Sequence, residues 1–564
     1  MADTTPNVGA GIWITPPAVI ALGLESLPLP KVSFRASNGP LSRLELATIY
    51  LGGLVRNKVM WSRKAIDATI VDKWRSEMRT AFAKAEGTPP AQQVDISEEG
   101  PEDVIRAFFS EEFMEFVLAD CLHDARGWEA LEDDIVAPSA VRGAYQADQP
   151  HNHDQVAELL ELLKPLEDIP NHRKDWHPNT GNQVLDLVHP SLFCLEHGRS
   201  RILDPTVAEG LTAPADCLKH LGSGSVLPNR PEPPNKWAHI WQLPKVDQFQ
   251  WLPAEFHIED LEVTIQSYIN NLHPVRHKRI YRALEKIFVG SSELLDFVVS
   301  DIANGSHRSA RFRVPEHEDE GEVIHPSLPP KPSRPGGFHQ FISSGSMQVI
   351  VKIATICLDP ANPKYAGGTW HLEGTSDEAI VATAIHYLSL ENITTSRLSF
   401  RRTFDDTEIS YPQDDHRVKE IYGIVRDEPA VQYVGSVTAV SGRCIAFPNS
   451  YQHRVEPFEL ADPTKPGHRK IICFFLVNPQ TRVTSTRDVP PQQFSWWFTE
   501  VFSDPCSRLS RFPLDIRIAI GKFVEWPMKM ADAKDQRARL TESRKEHYAV
   551  RNGDFEHIVS LCEH

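Results

Sequence analysis

In the stretch "YAGGTWHLEG" a histidine and a glutamate, His371 and Glu373, stand two positions apart just after a glycine pair. On extended backbone the period of two turns both side chains to one face, so an imidazole and a carboxylate converge on one point. A second histidine would complete a metal cradle, and "RCIAFPNSYQHRVEPF" offers His453 behind a strand-like run ending in Phe-Pro-Asn. Two histidines and one carboxylate form the facial ligand set of non-haem Fe(II) oxygenases, which leaves coordination positions open for a co-substrate and dioxygen. Beyond it, "GHRKIICFFLVNP" carries Arg469 and Lys470 at the start of a strand. Alternation sets Arg469, Ile471 and Cys473 on one face and Lys470, Ile472 and Phe474 on the other, so only one of the two bases points inward. Arg469 is preferred, and its guanidinium fork can take a carboxylate bidentately.

These residues need strands to position them. From about residue 340 the texture is β: "SMQVIVKIATICL", "EAIVATAIHYLSL", "SRLSFRRTF", "VQYVGSVTAV", "RCIAFPN" and "RKIICFFLVNP" are short β-branched or aromatic runs broken by turns. That pattern predicts an antiparallel sandwich or barrel, and a jelly-roll can bring His371 and His453 face to face. Upstream, "LSRLELATIYLGGLVRNKVMWSRKAIDATIVDKWRSEMRTAFAKA" and "EDVIRAFFSEEFMEFVLADCLHDA" repeat apolar residues at helical spacing. The expected organisation is an extended arm over 1–40, a mainly helical region over 41–240, a β core over 241–490 and helices over 491–564. A proline- and acid-rich link at about 90–100 and a loop through "EHEDEGEVIHPSLPPKPSRPGG" interrupt it.

Several other side chains stand near the ligands in sequence. Lys352, in "QVIVKIATI", points either inward to a co-substrate or outward to water; periodicity leaves both open. Tyr365, Trp370 and Asn449 are either substrate contacts or packing and turn residues, and Arg397 either meets a substrate carboxylate or pairs with an acid. "HNHD" at 151–154 and "HEDE" at 317–320 read as solvated charge. No Gly-rich phosphate loop, nucleophile elbow or dinucleotide fingerprint occurs.

The order His-x-Glu, a second His, then Arg on a following strand resembles the Fe(II)/2-oxoglutarate-dependent dioxygenase superfamily, whose fold is a double-stranded β-helix. More closely, "QVIVKIATICLDPANPKYAGGTWHLEG", "ENITTSRLSFR", "GRCIAFPNSYQHRVEPFELADPTKPGHRKIICFFLVNP", "DLVHPSL", "FQWLP" and "DATIVDKWR" are similar to the mainly fungal family labelled domain of unknown function 4246. The resemblance implies an α+β chain: a cupin-like jelly-roll core with extensive N-terminal and C-terminal helical layers. It implies Fe(II) on His371, Glu373 and His453, with 2-oxoglutarate and O2 as co-substrates. It further implies a base on the strand after the distal histidine, Arg469 rather than Lys470, on the far carboxylate; Lys352 is a further candidate at the co-substrate, and Tyr365, Trp370 and Arg397 are candidates at the substrate. The carboxylate is Glu373 where the superfamily usually has Asp, so the pocket must accommodate the longer reach. A carboxylate at that position also argues against a halogenase.

The implied reaction is oxidation, commonly hydroxylation, of an unactivated carbon with release of succinate and CO2. A small-molecule substrate is favoured; a cupin-type metalloenzyme without 2-oxoglutarate and a protein-modifying oxygenase are the alternatives. Hydrophobic residues at 41%, charged residues at 24% and a net charge of −17 fit a globular chain with no nucleic-acid or anionic-membrane partner. Scattered cysteines without a C-x-x-C pair read as reduced thiols, and the N-terminus lacks a basic n-region and an unbroken apolar run. Both point to the cytoplasm.

Overall fold

A computed structural model describes residues 39–86, 100–129, 136–151, 153–231, 248–260, 262–304, 312, 314, 345–504, 507–553 and 556–559. The arm expected over 1–40, apart from its last two residues, most of the 90–100 link and the loop through 316–337 lie outside the described residues.

Runs of Val, Ile, Thr and aromatic residues become strands because a pleated surface holds branched side chains well. In chain order the strands that matter here are β1 (Val136–Pro138), β2 (Tyr145–Asp148), β3 (Val184–Val188), β4 (Ala254–Glu259), β5 (Glu262–Ile265), β6 (Gly345–Leu358), β7 (Ile380–Glu391), β8 (Arg397–Thr403), β9 (Val431–Thr438), β10 (Arg443–Pro448), β11 (Gln452–Val455) and β12 (Gly467–Val477). A nine-stranded sheet runs β1-β2-β10-β7-β12-β6-β4-β5, with β3 added to β6, and a three-stranded sheet runs β9-β8-β11. Their ladders are antiparallel.

The large sheet is apolar on both faces, as a sheet covered on both sides must be. Its inner face presents Ile350, Ile385, Tyr387, Ile445, Phe447, Cys473 and Phe475 to Leu398, Phe400, Val434 and Val437 of the small sheet. Its outer face presents Val349, Val351, Ile353, Ala384, Ile472 and Phe474 to the helix Lys278–Asn304, where Phe288 meets Phe474 edge-on at 5.0 Å between ring centroids. This alternation decides which side chains can reach a site between the sheets.

The flanking helices are tied on by buried polar contacts. Helix Arg43–Arg56 is capped by Ser42 Oγ, which accepts from Glu45 N, and it ends in Arg56, ion-paired with Asp120 at 3.0 Å and Asp124 at 2.6 Å. Helix Met530–Gly553 reaches across to Asp175 through Arg537 at 2.9 Å and to Glu378 through Arg544 at 2.6 Å. Removing one partner of such a pair strands a buried charge.

Strands β1, β2 and β3 belong to the large sheet although they fall inside the stretch expected to be mainly helical, 41–240. The reason is their length: three to five residues between turns leave too short a period to stand out. Among the described residues Cys121, Cys194, Cys217, Cys357, Cys444 and Cys473 form no disulfide.

Candidate metal centre

The segment that carries His371 is stitched to β11. Gly368 N donates to Val455 O at 2.9 Å, His371 N to His453 O at 3.2 Å, and His453 N back to His371 O at 3.0 Å. This bridge brings the two imidazoles to 4.4 Å between centroids. Glu373 is fixed from the other side by Asn449, whose Oδ1 accepts from Glu373 N and whose Nδ2 donates to Glu373 O, each at 2.9 Å. Gly374 then turns the chain with φ +65°, where a Cβ would strike Ile380 Cδ1 at 2.7 Å, so this corner requires glycine.

The three side chains converge on one point. His371 Nε2 lies 3.6 Å and His453 Nε2 3.3 Å from Glu373 Oε1. His371 Nδ1 lies 2.8 Å from the Thr369 carbonyl, to which it donates, leaving Nε2 as the nitrogen that faces the carboxylate. Burial works to raise the Glu373 pKa, but the two imidazoles outweigh it and hold the carboxyl well below the usual range. Burial, with His371 beside it, pushes His453 below its ordinary value. One proton can bridge one imidazole to the carboxylate; only a cation serves all three donors at once. Two imidazoles and a carboxylate fit a divalent transition metal with open positions. The His371 side chain is 38% exposed and that of His453 3%, so the approach is from the His371 side.

On β12 the alternation separates the two bases. Lys470 turns outward to Glu167 at 2.6 Å. Arg469 turns inward, 1% exposed, with its guanidinium over the Tyr387 ring at 5.0 Å and no carboxylate partner among the described residues. Lys352 also faces inward. Burial acts to lower its pKa, and the Asp186 and Glu373 carboxylates more than offset this, raising it. In register it opposes Cys473, whereas Arg469 opposes Ile356. Tyr365 packs on Phe458 at 5.2 Å, and the charges of both Arg469 and Lys352 reach its phenol.

Trp370 and Arg397 are not brought to this cluster. Leu398 and Phe400 take the inner face of β8, which leaves Arg397 outside, exposed and 3.8 Å from Glu456. Trp370 is half-buried between the guanidinium groups of Arg401 at 4.9 Å and Arg454 at 4.6 Å. Its ring clamps the segment to the outer face of the small sheet rather than facing the ligands.

A second group of metal-ligand types went unread in the sequence: His177, Asp186 and His189, with one candidate ligand atom from each lying within 4.8 Å of the others. Asp186 projects from β3 opposite Ala354, on the same face as Lys352. His177 Nδ1 lies 2.8 Å from Asp186 Oδ2, and Ser191 N donates to His189 Nδ1 at 3.2 Å. The available signal was an acid inside the apolar run "VLDLV", followed three positions later by histidine.

A family model described as "Protein of unknown function (DUF4246)" matches residues 111–500. The chain belongs to this family. In this DUF4246 protein the matched span contains both histidine–carboxylate clusters, Lys352 and Arg469. No curated protein matches it. Solved structures with some similarity include the Fe(II)/(alpha)ketoglutarate-dependent dioxygenase TqaL, at 13% identity over 60% of this chain and 95% of that one, TM-score 0.21. A bsmA homolog from Methylobium petroleophilum PM1 is 9% identical over 63% and 93%, TM-score 0.25. IDO from Bacillus thuringiensis is 8% identical over 40% and 75%, TM-score 0.19. Similarities this distant carry no weight for the chemistry. Among the described residues no helix is long and apolar enough to cross a membrane.

Proposed function

We propose that this DUF4246 chain is an Fe(II)- and 2-oxoglutarate-dependent dioxygenase that oxidises, by hydroxylation, an unactivated carbon of a small molecule and releases succinate and CO2. In this reading the two facing sheets are the halves of a double-stranded β-helix, a cupin-like jelly-roll with helices over its outside. The observation that carries it is Arg469. A guanidinium at 1% exposure with no carboxylate partner among the described residues is costly unless an anion arrives, and it shares an interior with a two-histidine, one-carboxylate cradle. The distal carboxylate of 2-oxoglutarate meets that need with two parallel hydrogen bonds.

Each residue then has a task. His371, Glu373 and His453 hold the iron, which when bound supplies the coupling of 2-oxoglutarate decarboxylation to oxidation by dioxygen. The Thr369 carbonyl sets the His371 tautomer, and Asn449 fixes the backbone that aims Glu373. Tyr387 supports Arg469 from below its guanidinium. The apolar inner core, with Phe447 against His453 at 4.9 Å, excludes water on the buried side.

The test is anaerobic titration of the apoprotein with Fe(II) and 2-oxoglutarate, following the weak visible metal-to-ligand charge-transfer band. A band abolished in His453→Ala and weakened in Arg469→Ala is expected. Iron binding without a band would move the assignment to a cupin-type metalloenzyme with another co-substrate.

A further inference from the structure

The cluster of His177, Asp186 and His189 has the residue types of a metal site, but its hydrogen bonds argue against one. His189 Nδ1 accepts the Ser191 N–H, so its proton sits on Nε2, which is then a donor. Burial above all drives the His189 pKa down to about 3, so the ring is neutral. The His177 Nδ1 proton is spent on Asp186 Oδ2, so in the neutral ring Nε2 is the acceptor. Burial works to raise the Asp186 pKa, but His189, His177 and Lys352 outweigh it and hold the carboxyl at about 2. Its Oδ1 is buried without a hydrogen-bond partner.

Beside this array stands a charge of opposite sign. The Lys352 ammonium feels the Asp186 and Glu373 carboxylates, yet forms a hydrogen bond or ion pair with neither. A carboxylate with one bare oxygen and a half-buried ammonium without a direct partner thus share one interior face, not bonded to each other. Buried charges are retained when something completes them. Arg469, four positions along β12 from the residue opposite Lys352, already provides a separate anion seat for the co-substrate.

We propose that Asp186, His177, His189 and Lys352 form the substrate subsite and that it takes a zwitterionic α-amino acid. The substrate ammonium lies on Asp186 Oδ1 and His177 Nε2, and its carboxylate on Lys352 with His189 Nε2–H. This rests on the oxygenase reading for the reaction, but binding is tested without turnover. Calorimetry uses the full chain loaded with Zn(II) and 2-oxoglutarate, titrated with each of the common L-amino acids. The matching decarboxylated amines and N-acetyl derivatives are titrated beside them.

At least one amino acid should bind, with its amine and its N-acetyl derivative weaker by on the order of 30-fold or more. The near-isosteric Asp186→Asn and Lys352→Met should each weaken that amino acid at least as much, and by about tenfold more than they weaken 2-oxoglutarate. The single-ended ligands test the same point on the unaltered chain should a variant fail to fold. Binding of no amino acid, affinity indifferent to both charges, or a second metal ion per chain that His177→Ala removes would each overturn the subsite. Failure of the oxygenase reading shows separately, as the missing charge-transfer band.

Discussion

At His371 the Nδ1 proton goes to a backbone carbonyl; at His189 the same ring nitrogen receives a backbone N–H. The two clusters, His371/Glu373/His453 and His177/Asp186/His189, contain the same side-chain types at similar closeness. In the first, the imidazole lone pair faces the carboxylate and a cation is called for. In the second, the imidazole proton is displaced to the other nitrogen and the carboxylate already holds a proton donor. A single backbone contact therefore separates a metal cradle from a hydrogen-bonding array, and residue composition alone does not.

The sharpest way to break this comparison is metal stoichiometry. His453→Ala should lose Fe(II) affinity by more than about 100-fold, while His177→Ala keeps one ion per chain. Metal analysis after dialysis reads both, and equal losses would erase the distinction. Next comes the inner and outer pair on β12. Arg469→Ala should raise the 2-oxoglutarate dissociation constant about 100-fold and Lys470→Ala less than about twofold, measured by the charge-transfer titration. A comparable loss in the lysine variant would reverse the facing argued from Glu167.

A third histidine pair sharpens the contrast because no carboxylate meets it among the described residues. His151 and His386 meet edge-on at 5.0 Å outside the large sheet, and burial depresses them to about 4 and about 3. Both are neutral in the folded chain, so their contribution is fully present above the unfolded value near 6.5 and is lost as pH falls toward those folded values. Each can cost up to about 1.4 kcal/mol per pH unit in that window. His386→Phe should retain about 2–3 kcal/mol of stability at pH 4 relative to the parent, compared by urea unfolding at pH 7 and pH 4. Unchanged pH dependence would mean that the unfolded chain does not gain those protons. Asn449→Ala should weaken Fe(II) about tenfold through a misaimed Glu373. Arg397→Ala, outside the cluster, should change stability by less than about 0.5 kcal/mol and leave metal and co-substrate affinity alone.

The candidate cluster was legible because His371 and Glu373 share a period-two face and His453 follows a run of strand-forming residues. The strands from Gly345 to Val477 were legible for the same reason: long apolar alternation survives without context. Lys352 could not be placed from its strand, since both faces of β6 are apolar and either side could be buried. Its inward facing depends on Asp186, which arrives from a five-residue strand far upstream. The second cluster was illegible because its members come from a loop, a strand and a turn, which share no common period. Trp370 and Arg397 sit close to the ligands in sequence, yet the pleat sends them to the opposite side.

The register of β6 against β12 also sets a length. Lys352 faces Cys473, four positions past Arg469, so roughly 13 Å of strand separates the backbones of the two cations. A five-carbon diacid is far shorter than that. A rod-shaped molecule with an acid at each end and a reach matched to this interval could occupy both seats at once, and tethering would add the effective concentration of its second end to the affinity of the first. On the proposed reading the paired strands act as a gauge for designing a two-headed inhibitor that would displace co-substrate and substrate together.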